Sequence, residues 1–148
     1  MFKSLKSLGI FTIIFITFFI YISFYVKNLY LKKKNKPQLT LIQFLNNDSK
    51  VTLRKVIIGM SFGFVFGFID NAAIWLSINP IKDYFTGSLF IKAGWANTYS
   101  DFLGATAGTS IALILKTLFP ISDVPIWVDT IGVLIGCIVG MYLPLLVS

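Results

Sequence analysis

Four apolar runs of membrane-crossing length set the limits on what this chain can become, and most of its charges lie between them. The first run, Leu8 to Val26, holds roughly 19 uncharged residues, enough to cross a hydrocarbon core of roughly 30 Å at 1.5 Å per residue. The second extends from about Val56 to Ile78 and leaves at the turn signal Asn79-Pro80. A third begins near Ile91 and ends near Phe119-Pro120, and the last reaches from about Trp127 to Val147, with Trp127 and Tyr142 near its ends as interfacial aromatics tend to be. With 56% hydrophobic and 13% charged residues, the chain reads as an all-α integral membrane protein with four transmembrane helices. The expected organisation is an N-terminal transmembrane anchor over 1–27, a basic linker over 28–55 and a three-helix membrane core domain over 56–148.

The first run is long for a signal peptide, lacks an Ala-x-Ala-like end and is followed by lysines, so an uncleaved anchor is expected. A mitochondrial presequence would be amphipathic and Arg-rich, whereas the chain's one arginine is Arg54. Lys27, Lys32, Lys33, Lys34 and Lys36 follow the run, and Pro37 closes the cluster. Leu39, Leu41, Ile42, Phe44 and Leu45 then suit either a short helix on the membrane surface or an ordinary loop. Eight cations between Lys27 and Lys55, with Lys116, outweigh Lys3, Lys6, Lys82 and Lys92, which puts both termini outside. A net charge of +7 distributed in this way expresses topology, and a nucleic-acid partner is not expected. The partner implied is the lipid bilayer.

The sequence has no His, and all its acidic residues are Asp, so neither an imidazole base nor a zinc site can be assembled. No nucleophile and base pair emerges, so the protein is not expected to be an enzyme or to carry a covalent cofactor. Cys137 stands alone and can form no internal disulfide.

Glycines recur at four-residue steps in the last three runs: Gly59, Gly63 and Gly67; Gly104 and Gly108; Gly132, Gly136 and Gly140. Such spacing keeps each set on one helical face, where small residues let backbones approach closely. A glycine-striped core bundle of the last three helices is therefore expected.

Each glycine set adjoins an aspartate. A carboxylate near mid-bilayer costs about 2.5–3.5 kcal/mol, so Asp70 and Asp101 need partners. Asp70 lies nine residues before Asn79 and Asp101 nine residues after Lys92, which brings both to one depth, roughly 13 Å below the same surface, on adjacent antiparallel helices. Facing carboxylates cannot both stay ionised without a cation or a shared proton. Asn71, Asn97, Thr98 and Ser100 add oxygen donors of the kind that suits Ca²⁺ or Na⁺. The candidate cation site is thus Asp70, Asn71, Asn97, Ser100 and Asp101, with Asp70 and Asp101 as metal ligands. In the competing reading, each Asp bonds an Asn or Ser across the helix pair and only fixes packing. Asp129 reads as a helix-start residue favoured by the helix dipole, and Asp48, Asp83 and Asp123 as solvated.

Three patches, in order, resemble the family of transmembrane protein 65: Gly63-Phe64-Val65-Phe66-Gly67-Phe68-Ile69-Asp70-Asn71, then Asn97-Thr98-Tyr99-Ser100-Asp101, then Gly132-Val133-Leu134-Ile135-Gly136-Cys137-Ile138-Val139-Gly140-Met141. Asp-Asn and Asn-x-x-Ser-Asp preceding a Gly-Cys helix carry the specificity. The resemblance implies a three-helix core tied to sodium-dependent calcium efflux, as the exchanger or as a partner that supports one. It also implies the mitochondrial inner membrane, against a cellular or viral membrane otherwise, and a role for Asp70, Asn71, Asn97, Ser100 and Asp101. Ala96 stands where that family is expected to have glycine, a Phe-rich helix replaces a long presequence, and a polar acidic tail is missing. These departures bear on targeting and tail-mediated regulation. Since three core helices surround a conduction path poorly, a homo-oligomer packed through the glycine seams is expected. The alternative is a structural or regulatory subunit that docks on a larger membrane transporter or assembly.

Overall fold

The computed structural model describes residues 5–47, 50–143 and 146, and every regular element among them is a helix. Asp48 lies outside the described residues. The chain forms two compact units, Met1–Phe44 and Leu45–Ser148. The division falls inside the stretch expected as linker, for a reason visible in the first unit.

There α1 (Leu5–Lys33) does not stop at Val26 but continues into the lysine cluster. It ends at Asn35, whose φ of 53° is the left-handed conformation that Asn tolerates, and the Lys36 N–H returns to the Leu31 carbonyl at 2.9 Å. The chain then folds back along its own helix. The Asn28 amide accepts from the Leu39 N–H at 2.8 Å and donates to the Leu39 carbonyl at 3.0 Å, and the Phe24 and Phe44 rings meet edge-on at 5.6 Å. A short helix, α2 (Leu41–Leu45), forms where helix and loop were both open. Thr40 and Gln43 start it with a reciprocal capping box, at 2.8 and 3.2 Å. α1 buries none of its residues and is apolar all round, as a helix surrounded by lipid is.

The second unit contains α3 (Leu53–Gly59), α4 (Ser61–Tyr84), α5 (Leu89–Leu118) and α6 (Ile126–Tyr142). Thr52 caps α3 by accepting from the Lys55 N–H, and Ser88 caps α5 by accepting from the Ile91 N–H. The second apolar run is divided at Met60 between α3 and α4. Its expected exit at Asn79-Pro80 is corrected: α4 runs through Pro80 to Tyr84. Proline's φ is compatible with a helix, and the loss is one backbone bond and some crowding one turn back. The helix closes beyond it, with the Phe85 N–H on the Ile81 carbonyl at 3.0 Å.

α4 occupies the middle of the unit, packing along α5 on one side and α6 on the other, while α5 and α6 scarcely touch. The arrangement is a row of three helices with α4 at its centre. A closed bundle is not formed, because α4 meets α6 through Gly63 and Gly67 on one face and takes Gly104 and Gly108 of α5 on another. α5 runs antiparallel to α4, with Gly108 beside Phe62 and Gly104 beside Phe66. α6 runs parallel, with Gly132 beside Met60, Gly136 beside Phe64 and Gly140 beside Phe68. Phe62 and Phe66 stack at 5.9 Å on the α5 side, and Phe64 and Phe68 at 6.4 Å on the α6 side, so the rings fill the space beside the glycines.

α1 and α4 are long and apolar enough to cross a membrane, and α6 is apolar but shorter. α5 is long but rich in hydroxyls. Thr98, Thr106, Ser110 and Thr117 each donate to the carbonyl four residues back, at 2.7 to 2.9 Å. That local bond satisfies each hydroxyl within its own helix.

Candidate functional site

The antiparallel pairing of α4 and α5 brings Asp70 opposite Ser100 and Asp101. The Ser100 hydroxyl lies 2.5 Å from Asp70 Oδ1 and 2.9 Å from the Asn97 carbonyl, and Ser100 is 0% exposed. A distance of 2.5 Å is that of a hydroxyl donating to a carboxylate, so the Ser100 proton points at Asp70 and not at the Asn97 carbonyl. Asp101 Oδ2 accepts from Asn97 Nδ2 at 2.8 Å, one turn back on α5. The Asp70 carboxyl group lies close enough to that of Asp101 for the two charges to act on one another. Asn97, Asp101, Asp70 and Ser100 thus make one continuous polar chain across the helix pair.

The buried small residues Ala96, Ser100 and Gly104 form the face of α5 that lets the backbones come this close. A methyl on Gly104 would stand 2.8 Å from the Phe66 carbonyl oxygen and 3.4 Å from the Asp70 nitrogen. Ala96, where glycine was expected, is completely covered. The site grades outward from the buried Ser100 through half-buried Asp70 and Asp101 to exposed Asn97. It therefore opens at the α5 flank.

Asn71 is the expected ligand that the structure places elsewhere. It follows Asp70 by one residue and so points about 100° round the helix, toward α6. Its amide donates to the Gly67 carbonyl at 3.3 Å and neighbours the Cys137 thiol. The five expected ligands divide into four on the α4/α5 side and Asn71 on the α4/α6 side.

Asp129 has a role that a reading of α6 alone does not reveal. It stands in the first turn of α6, where the dipole favours it, but its Oδ1 reaches across to accept the Gly63 N–H at 2.8 Å. Gly63 lies in the first turn of α4, just past the break at Met60, and its N–H lacks the usual partner there. One carboxylate thus serves the starts of two parallel helices. The signal available in the sequence was an aspartate at the head of a glycine stripe; its partner was not written beside it.

As for the remaining packing glycines, a methyl on Gly59 would stand 2.8 Å from a Val124 methyl, and one on Gly67 or Gly132 would stand 2.5 Å from the Val133 or Met60 carbonyl oxygen. At Gly63, Gly136 and Gly140 the overlap would be with the carbonyls of Asp129, Phe64 and Phe68.

Chemically, the polar chain supplies two carboxylates, a hydroxyl and an amide. Among the described residues no cluster of three or more His, Cys, Asp or Glu side chains stands ready for a metal ion. Ca²⁺ takes about 6–8 oxygens, so a single copy meets that number only with water or a second copy; Na⁺ or a proton asks less. Searches against protein-family models, curated proteins and solved structures found no match to this chain.

Proposed function

We propose that this chain is a four-span integral membrane protein that moves cations through the Asp70/Asp101 pair, as a Na⁺/Ca²⁺-type exchanger or in support of one. The observation that carries the reading is the meeting of two carboxyl groups across α4 and α5, in a setting whose other donors are a hydroxyl and an amide. Intramembrane carboxylates are costly, and a positive ion or proton makes such a pair tolerable. Na⁺ or H⁺ would compete for the oxygens that hold Ca²⁺, and alternating exposure of the pair would couple the two. The resemblance to the transmembrane protein 65 family supports the same activity and a place in the mitochondrial inner membrane. A row of three helices encloses no path, so the working form is a homo-oligomer.

The test is flux in liposomes containing only the purified full-length protein. The wild type is expected to exchange Na⁺ or H⁺ for Ca²⁺, with Asp70→Asn and Asp101→Asn each slower by at least about tenfold, the loss of roughly one strong ionic contact. Absent flux, or flux indifferent to both substitutions, sinks the proposal.

A second reading, a regulatory subunit docked on a larger transporter, draws on a different observation. Ser100 and Asn97 already satisfy one oxygen of each aspartate, as a purely structural pair would. It calls for a co-purifying membrane partner, no flux from the isolated protein, and loss of assembly on Gly→Leu changes in the stripes.

A further inference from the structure

At the end of the second unit where α3 begins and α5 ends lies an open groove of about 440 Å³, lined by Leu53, Arg54, Ile57, Ile58, Leu115 and Phe119. Its walls are almost wholly carbon apart from one guanidinium, and its volume falls within the roughly 300–1,000 Å³ of ligand-holding clefts. Ile57, Leu53 and Phe119 remain 57%, 75% and 45% exposed, so nothing in the unit fills it. Arg54 leans over the Phe119 ring, 5.7 Å from its centre, which holds the guanidinium at the rim. Among the described residues Arg54 has no ion-pair partner. Lys55 follows it directly, whereas Lys116 shares a separate small cavity with Asp123 and adds little to the rim.

We infer that this groove binds one anionic phospholipid, with an acyl chain along Leu53, Ile57, Leu115 and Phe119 and its phosphate on Arg54. Charge and polarity select this occupant. A planar guanidinium makes paired hydrogen bonds to phosphate, and an adjoining carbon-lined trough takes the attached chain. Anionic headgroups are favoured because Arg54 and Lys55 bring two positive charges and no acid stands in the first turn beside them. α3 follows the basic linker, so its first turn enters the bilayer at headgroup level, the depth such a lipid requires. The groove is remote in sequence from Asp70 and Asp101, and the inference does not depend on transport.

The experiment is native mass spectrometry of the delipidated full-length protein, titrated with phosphatidylglycerol and, separately, with phosphatidylcholine of the same chains. One phosphatidylglycerol is expected to bind per chain, at least about tenfold more tightly than phosphatidylcholine, as a charge-assisted contact implies. Arg54→Gln should erase the preference, and Arg54→Lys should restore part of it. Ile57→Trp, a change at an exposed position, should block binding of both lipids while leaving helix content unaltered. Equal binding of the two lipids overturns the inference, as does an Arg54→Gln protein that keeps the preference. Displacement of the lipid by inorganic phosphate would overturn the acyl part, and protection of the groove by a second copy, seen as a dimer that Ile57→Trp dissociates, would overturn the lipid as occupant.

Discussion

Gly136→Ala and Gly94→Ala are the same chemical change on two helices of one unit, and their effects should have opposite signs. At Gly136 a methyl group would overlap the Phe64 carbonyl oxygen and stand 2.9 Å from both the Phe64 carbonyl carbon and the Phe68 nitrogen. Ordinary contacts lie at about 3.5–4.0 Å, so α4 and α6 must part by about 1 Å. A gap of that size forfeits up to about half of each dispersion contact it opens, and overpacking of this kind costs about 1–3 kcal/mol. The upper part of that range applies, because all three obstructing atoms are backbone and cannot rotate aside. Alanine's advantage in a helix returns only about 0.5–1 kcal/mol. The net expectation is a loss of about 1–2 kcal/mol for Gly136→Ala. Gly94 has nothing within 4 Å of an added methyl, so only the helix term acts and a gain of about 0.5–1 kcal/mol is expected. Gly104 and Gly108, where a methyl would stand 2.8 and 3.0 Å from carbonyl oxygens, should fall between the two. Equilibrium unfolding of the purified protein in mixed micelles, followed by helical circular dichroism, measures the order. A Gly136→Ala protein as stable as Gly94→Ala would refute the claim that α4 and α6 touch backbone to backbone.

Asp129→Ala should cost about 1.5–3 kcal/mol in the same unfolding titration, because the Gly63 N–H loses a charged acceptor at 2.8 Å; Asp129→Asn, which keeps an oxygen there, should cost less, and equal losses would contradict the bond. Asp101→Asn should separate stability from transport. Removing one of two adjoining carboxylates relieves repulsion on the order of 1 kcal/mol, so the variant should unfold no more easily than wild type while its flux falls; a large destabilisation would mean that Asp101 is a packing residue.

The helices themselves were legible in the residues. Long apolar runs and Pro37 beyond α1 are local signals, acting within a turn or two of where they are written; the caps Thr52 and Ser88 are just as local but came only with the structure. Where local signals compete, the reading erred: Asn79-Pro80 has the composition of a turn, yet α4 carries it inside, since one proline removes a single bond from a helix held along two faces. The apolar run itself stops at Val26, but lysine is a good helix former and α1 continues through the cluster until Asn35 turns the chain just before Pro37.

By itself the sequence determined that this protein is helical and which residues share a face, because the 3.6-residue period is written into each segment; of the four spans read from it, two, α1 and α4, have the length and apolarity to cross a membrane. It also put Asp70 and Asp101 at matching distances from one turn, which is arithmetic along an antiparallel pair. Only the tertiary structure decided that α4 stands between α5 and α6, that Asn71 looks toward Cys137 instead of Asp101, and that Asp129 completes the start of another helix. A helix specifies its own faces but not the neighbour that will cover each of them; that choice is made by the close approach of two surfaces distant in sequence, and here glycine on both sides of α4 made two such approaches available.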